Sequence, residues 1–358
     1  CYGGETELAA AFIRGDAPDW EDAGRNARRV SLPLYPFEKT AYWVTPERKP
    51  VPAAKKRLSH PLLDLVLVNT RDCRVYESRM SVSRTMELRE HCLGGRHTLA
   101  GTVYIELIRS AMLHQLPSGR MELSDLVSLA PLTCGEKEER VVQTVILKKD
   151  TGWQVSIQSA QAGREEWSPH VEVTVLPLDK VTEKIDLSRL KAEFEPYLQK
   201  DYVANSGDFI HIGPHWNLPL EVFAKGKRVL THVWTPEAMR TVLAPYGVYP
   251  ALLDGSIHGC NVLNDKGFCL PFCFGSIRLY GKTSTESYGL MEKVEGAEGL
   301  NTYNGTLFTQ TGQVVAELRR YSMRHIDQSE EAIFGRSREN AFHRVAWDPT
   351  GLPGQERG

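Results

Sequence analysis

The chemistry-bearing residues of this chain lie in two stretches. His91 opens the run His-Cys-Leu-Gly-Gly-Arg-His-Thr-Leu-Ala100, which leads into an apolar segment with helical spacing. Gly94 and Gly95 let the backbone take positive φ or approach a ligand closely. A histidine beside such a turn, just before a helix N-terminus, has free N–H donors at hand and can serve as a general base. Taken alone, the same pattern also describes a surface loop ahead of a core helix. The second stretch puts Asp254 and His258 at i and i+4, on one helix face and within reach of each other. Ala251, Leu252, Leu253 and Ile257 surround them, and a carboxyl group among such neighbours is costly to bury. Burial would raise its pKa and make it a proton donor at neutral pH, with His258 to orient it. The other reading is an exposed aspartate beside a satisfied histidine. If the two helices face each other, base and acid flank one pair of substrate carbons, which suits the elimination of water.

The elements that must position these groups come in two sets. Leu99, Val103, Leu107 and Met112 recur at helical spacing after His91, and Thr98 or Thr102 is placed to cap that helix. A second apolar helix is expected over residues 249–263, with Pro250 in its first turn. Leu99-Ala100-Gly101 of the first can be laid over Tyr249-Pro250-Ala251 of the second. Residues 74–80, 141–147, 153–157 and 171–175 alternate apolar and polar side chains, as half-buried antiparallel strands do. Residues 228–234, 275–280, 288–293, 303–308 and 314–322 repeat that pattern around the second helix. The same order of elements therefore occurs twice. Several strands about one long apolar helix imply an α+β fold in which a sheet wraps a buried helix.

Bulk properties exclude several classes. A chain of 358 residues can bury one large core or two ordinary ones. A formal net charge of −2 offers no basic field for nucleic acid. No apolar run approaches the roughly 18–20 residues that span a bilayer, and no secretion signal opens the chain. Seven scattered cysteines fit free thiols in a reducing cytoplasm. Cys269 and Cys273 lack C-x-x-C spacing, so no metal site is expected. Residues 1–58 read as a strap and linker rich in proline and aromatics. Residues 181–206 read as a connector with an amphipathic helix over 187–198, and residues 327–358 as the beginning of a further domain.

Together the motifs resemble those of polyketide synthase dehydratase domains. His91 to Ala100 is similar to the family's His-x-x-x-Gly-x-x-x-x-Pro, and Asp254-Gly-Ser-Ile-His258 to its Asp-x-x-x-Gln/His. Ile212-Gly-Pro-His-Trp216 resembles Tyr-Gly-Pro-x-Phe, and Leu270-Pro-Phe272 the family's Leu-Pro-Phe. The resemblance implies a double hotdog, with halves at 59–180 and 207–326, each a curved antiparallel sheet around its helix. It implies as substrate a 3-hydroxyacyl thioester on the phosphopantetheine arm of an acyl carrier protein, with no metal or redox cofactor. By the same analogy His91 removes the α-proton, Asp254 protonates the leaving hydroxyl and His258 holds Asp254. The Gly95 N–H would bind the thioester carbonyl, and Ile212, Gly213, Pro214 and His215 would line the substrate. The flanks imply ketosynthase or acyltransferase and ketoreductase neighbours in the same polypeptide, and leave room for a homodimer. Two departures stand out. Ala100 replaces the family's proline, which should leave the loop less fixed, and Ile212 replaces its tyrosine, which removes a hydroxyl donor. Relatives with altered prolines include double-bond isomerases, pyran-forming cyclases and chain-branching domains, so these are the alternative activities. A non-catalytic structural domain is a third reading. His97 is expected in solvent or packed at the loop, and His211 lies near the pocket.

Overall fold

The computed structural model describes residues 5–17, 58–179, 182–197, 209–264 and 269–325. The chain divides into two compact units, residues 1–53 and 54–358. The first unit contributes helix α1 (Glu5–Ile13). It ends where Gly15, at φ +87°, lets the Gly15 and Asp16 amides turn back onto the carbonyls of Phe12 and Ala11. The rest of the expected strap and the whole tail after residue 326 lie outside the described residues, as do residues 181 and 198–206 of the connector.

The second unit carries the sheets. In chain order its elements are β1 (Leu65–Asn69), β2 (Cys73–Met80), α2 (Met86–Arg89), β3 (His91–Leu93), β4 (Arg96–Thr98), α3 (Gly101–Met112) and β5 (Met121–Ser128). There follow β6 (Thr133–Cys134), β7 (Arg140–Lys148), β8 (Trp153–Gln161), β9 (Ser168–Pro177), α4 (Leu187–Lys191), β10 (Glu195–Pro196) and β11 (Ile210–Ile212). The last are β12 (Leu220–Lys225), β13 (Arg228–Trp234), α5 (Pro250–His258), β14 (Cys269–Leu279), β15 (Glu286–Val294), β16 (Leu300–Phe308) and β17 (Val314–His325). One antiparallel sheet of 13 strands runs in the order β1-β2-β7-β8-β9-β5-β14-β17-β16-β15-β13-β12-β10. Its first six strands come from the earlier half of the unit and its last seven from the later half. They join where Leu123 of β5 pairs with Ile277 of β14. Across that seam the Glu122 carboxylate accepts hydrogen bonds from the Ser276 hydroxyl (2.6 Å) and from Arg278 Nε (3.0 Å).

Alternation decides which face each strand buries. Val155 and Ile157 of β8 and Val171, Val173 and Val175 of β9 are fully or almost fully buried, as period-two patterning requires of one core-facing side. Helix α3 is buried nearly all round, Glu106 and Arg109 included, as a helix enclosed by protein must be. Helix α5 packs on β13, β15 and β16, and α3 and α5 pack against each other. A second sheet, β11-β3-β4-β6, ties a strand of the later half to three of the earlier one.

Three local expectations are corrected. Neither Thr98 nor Thr102 caps α3; Ala100 holds the N-cap position without a side-chain bond, and Thr98 donates instead to the Arg96 carbonyl. The helix expected over 187–198 stops at Lys191, and Glu195–Pro196 becomes β10 against β12. Pro196 has no N–H and disfavours helical geometry in the residue before it. The second long helix ends at His258, and Gly259–Leu263 continues as a tighter 3₁₀ turn. Gly259, which costs helix stability, marks the change.

Candidate active site

The residues expected as base and acid are presented by different kinds of element. His91 lies on β3 and not at the N-terminus of α3, which corrects the expected position. Strands β3 and β4 form a hairpin in which Leu93 faces Arg96 across a two-residue turn. That turn needs positive φ at both central residues, and Gly94 (+52°) and Gly95 (+74°) supply it. The other edge of β3 pairs with β11, and this sets Ile212 opposite His91. The Gly94 amide extends the pairing by donating to the Phe209 carbonyl at 2.8 Å.

The hairpin also fixes the imidazole. His91 Nδ1 lies 2.7 Å from the Thr98 carbonyl oxygen. A carbonyl only accepts, so Nδ1 carries the proton and Nε2 keeps its lone pair. Burial holds the His91 pKa below its ordinary value, and the negative charge of Asp254 offsets part of that shift. The ring therefore stays neutral near pH 7, as a base must. The indole of Trp216 lies across it, with ring centroids 5.6 Å apart and planes at 59°.

Asp254 and His258 sit one turn apart on α5, as expected. Asp254 is half-buried, and its carboxylate makes no side-chain hydrogen bond to another described residue. Its charge acts on His91, on His258 and on two residues the sequence did not flag, Cys260 and Tyr321. His258 meets water, yet protein crowds it closely enough that desolvation lowers its pKa, with Asp254 opposing. The charge of Asp254 thus bears on both His91 and His258.

The remaining expected residues divide. Gly95 lies exposed at the hairpin tip. Ile212 is 40% exposed beside His91. His211 and Pro214 are also exposed. His215 is engaged: its amide and its Nδ1 each lie 2.7 Å from the Glu90 carboxylate. His97 packs at the hairpin, with Nδ1 3.0 Å from the Leu88 carbonyl and Nε2 3.1 Å from Glu136. Ala100 does not loosen its loop. At φ −68° and ψ 151° it already holds the backbone that a proline would impose.

Three buried glutamates went unnoticed in the sequence. Glu87 accepts from the Tyr246 hydroxyl, and burial raises its pKa. Glu90 holds His215. Glu106, within α3, accepts from the amides of Gly247 (2.7 Å) and Val248 (2.8 Å), just ahead of α5, and from the Ser110 hydroxyl (2.9 Å). His60 Nδ1 accepts the Leu62 amide at 3.2 Å, so its Nε2–H is the donor to Glu106, also at 3.2 Å. Burial pushes Glu106 up, but His60, Arg109 and the two amides together hold its pKa below the usual value. A lone carboxylate in an apolar helix was the signal that found Asp254, and it was present for Glu106 too. Glu87 lies within a four-residue helix and Glu90 directly follows it, a stretch too short for any periodicity to read.

An antiparallel sheet in two halves, each laid on one long helix, is the double hotdog architecture. Residues 60–160 match the model described as polyketide synthase dehydratase domain, and residues 187–332 that described as polyketide synthase dehydratase N-terminal domain. The chain belongs to the polyketide synthase dehydratase domain family. It is similar to polyketide synthase PksL of Bacillus subtilis (24% identity, 91% of this chain, 8% of PksL). It is also similar to polyketide synthase GfsE of Streptomyces halstedii (26% identity, 97% of this chain, 10% of GfsE). The chain thus spans a tenth or less of the length of these relatives. Among solved structures, the dehydratase domain from the CurF module of curacin polyketide synthase aligns with TM-score 0.66 at 23% identity, covering 74% of this chain and 99% of that one. The dehydratase domain from the CurJ module aligns with TM-score 0.68 at 18% identity, covering 74% and 96%. These likenesses establish the fold. No helix among the described residues is long and apolar enough to cross a membrane.

Proposed function

We propose that this domain eliminates water from a 3-hydroxyacyl thioester carried on the phosphopantetheine arm of an acyl carrier protein. His91 Nε2 takes the α-proton, and the electron pair of that C–H bond forms the α,β double bond. Asp254 delivers a proton to the β-hydroxyl, which leaves as water when the C–O bond breaks. His258 orients Asp254. The Gly95 N–H binds the thioester carbonyl, where enolate-like charge develops, and the Ile212–His215 segment borders the acyl chain. The step needs an acid and a base, with neither a redox cofactor nor a metal in its balance. The observation that carries this reading is the Nδ1–Thr98 bond, which leaves the His91 lone pair on Nε2 within the field of Asp254. As part of a longer chain in the cytoplasm, the domain would work beside ketosynthase or acyltransferase and ketoreductase domains, and as a homodimer if the synthase pairs.

Ile212 supports a second reading. An apolar side chain faces the base where the family motif has a hydroxyl, so a double-bond isomerase, cyclase or branching activity shares the fold and the histidine. The test is incubation with a 3-hydroxyacyl carrier-protein thioester, followed by mass spectrometry for loss of one water, and the reverse hydration of the enoyl thioester. Neither loss nor addition of water would overturn the dehydratase reading. Asp254→Asn should abolish dehydration while sparing an isomerisation run by one base, and His91→Ala should abolish both. A purely structural domain would turn over nothing.

A further inference from the structure

We propose that Glu90 is a positioning residue, one that locks the strand of the base and the 213–216 turn into a single unit and so sets His91 against the substrate. The proposal rests on the dehydratase reading and adds to it a residue outside the expected acid–base set.

Glu90 immediately precedes His91 and is buried. Three hydrogen bonds run from the turn to this one residue. The Gly213 amide donates to the Glu90 carbonyl at 2.8 Å. The His215 amide donates to Oε2 and His215 Nδ1 to Oε1, each at 2.7 Å. A carboxylate accepts only, so His215 Nδ1 must carry its proton here. Charge-assisted bonds of this kind are the stronger ones. The fit is also steric. A Cβ at position 213 would lie 2.5 Å from Glu90 Cγ and 2.7 Å from Cδ, so only glycine admits the carboxylate.

What hangs on this clamp is the immediate surrounding of the base. The β3–β11 ladder is only three residue pairs long, and its last pair is His91 with Ile212. Beyond that pair, the Glu90 bonds are what continue the register. The turn then delivers Trp216, whose amide donates to the Gly213 carbonyl at 3.0 Å and whose ring lies across His91. The indole N–H is buried and has no hydrogen-bond partner among the described residues, so among these it is packing against His91, and not polar bonding, that locates the ring. The far side of the turn meets the acid helix. Tyr249, the N-cap of α5, donates its hydroxyl to the His215 carbonyl at 3.2 Å. One carboxylate thus holds the segment that touches the base on one side and the start of the acid's helix on the other.

The test compares Glu90→Gln, Glu90→Asp and Gly213→Ala in the intact protein. Circular dichroism confirms folding, and turnover is counted per folded molecule. Glutamine keeps the shape but turns a donor toward one of the two His215 donors. Alanine at 213 keeps the charge but displaces it. Misplacement by about an ångström costs up to roughly 10²-fold in rate, so kcat should fall about tenfold to a hundredfold in Glu90→Gln and Gly213→Ala, with KM within about threefold. Glu90→Asp, which keeps the carboxylate, should recover part of the loss. A second readout needs no substrate. The ring ¹⁵N resonances of His91 should report the Nδ1–H tautomer in the wild type and a shifted environment in both disruptive variants. An unchanged kcat, or unchanged His91 resonances in both, overturns the proposal. If the wild type dehydrates nothing, the resonances still decide whether Glu90 positions His91, so the two readings fail separately.

Discussion

Each half of the sheet unit carries one long helix, and each helix carries one carboxylate in an apolar setting. Their fates differ. Glu106 on α3 is fully buried and accepts bonds from two amides, a histidine and a serine, with Arg109 at 3.5 Å. Asp254 on α5 is half-buried, and its carboxylate makes no side-chain hydrogen bond to another described residue. A carboxylate engaged in this way is an anchor, whereas one without such bonds, whose charge is felt by two imidazoles, is the one proposed above to transfer a proton. The asymmetry continues around the site. The earlier half supplies the acceptors Glu87, Glu90 and Glu106, and the later half answers with donors, namely the Tyr246 hydroxyl, the Gly247 and Val248 amides and His215. The repeat is one of architecture. Its chemistry is complementary, which is why neither half alone would hold a complete site.

Exchange of the two carboxylates' roles is the sharpest way to break this contrast. Asp254→Asn should cut turnover by about 10²–10⁴-fold, the usual weight of one positioned proton-transfer group, while leaving the melting temperature almost unchanged. Glu106→Ala should do the reverse at first. It strands two buried amides and the Arg109 guanidinium, and removal of one partner from such a buried set costs about 3–5 kcal/mol. Thermal or urea unfolding measures it. A Glu106 variant of normal stability, or an Asp254 variant that unfolds early, would erase the distinction.

Acid should also separate the site from its frame. Burial lowers the pKa of His91, His170 and His258 from an ordinary value of 6.5. Each ring is favoured neutral in the fold, so the unfolded chain binds protons more readily. Their contribution is complete above 6.5 and is lost as pH falls through the lower folded values. Glu87, raised by burial, works the other way: its contribution is complete below 4.5 and is lost as pH rises through its folded value. The informative quantity is therefore a difference. Between about pH 7 and pH 5.5 the wild type should lose more melting temperature than His91→Ala, which lacks one of the three rings. Equal losses would take His91 out of the acid sensitivity and leave it to His258 and to His170, which is held by Ser159 at 2.7 Å and the Ala130 carbonyl at 2.9 Å.

How far these features could be read in the sequence follows from the range of the forces behind them. β13 was legible to the residue, Arg228–Trp234, because β-branched and aromatic residues dominate a run bounded by Gly226 on one side and Pro236 on the other. β5 was missed because Asp125, at φ +53°, bulges the strand and shifts its register between Ser124 and Val127, which destroys the period. The β3–β4 hairpin has strands of three residues, too short to alternate, although Gly94-Gly95 was a readable turn. Asp254 was found because its cost is local. Glu106 was not, because the groups that satisfy it are backbone amides 141 and 142 positions away, and an amide has no residue type to betray it. The Glu90–His215 pair joins two readable side chains, but 125 positions of chain separate them and nothing local links one to the other.

The smallest effect concerns the end of the base hairpin. Ala100 replaces the proline of the family motif, a change that would matter only if the backbone had moved. It has not: φ is −68° and ψ 151°, and the residue is the N-cap of α3. The Ala100 amide donates to no backbone carbonyl in the loop contacts, where Leu99 donates to Leu132 at 2.9 Å instead. Proline would therefore remove no donor in use and would narrow the unfolded ensemble. Ala100→Pro should stabilise by about 0.4–1 kcal/mol, read as a small rise in melting temperature, with kcat unchanged. A loss of stability would mean that the buried site has no room for the ring. A change in reaction product would make position 100, and not Ile212 beside His91, the residue that departs from the family's chemistry.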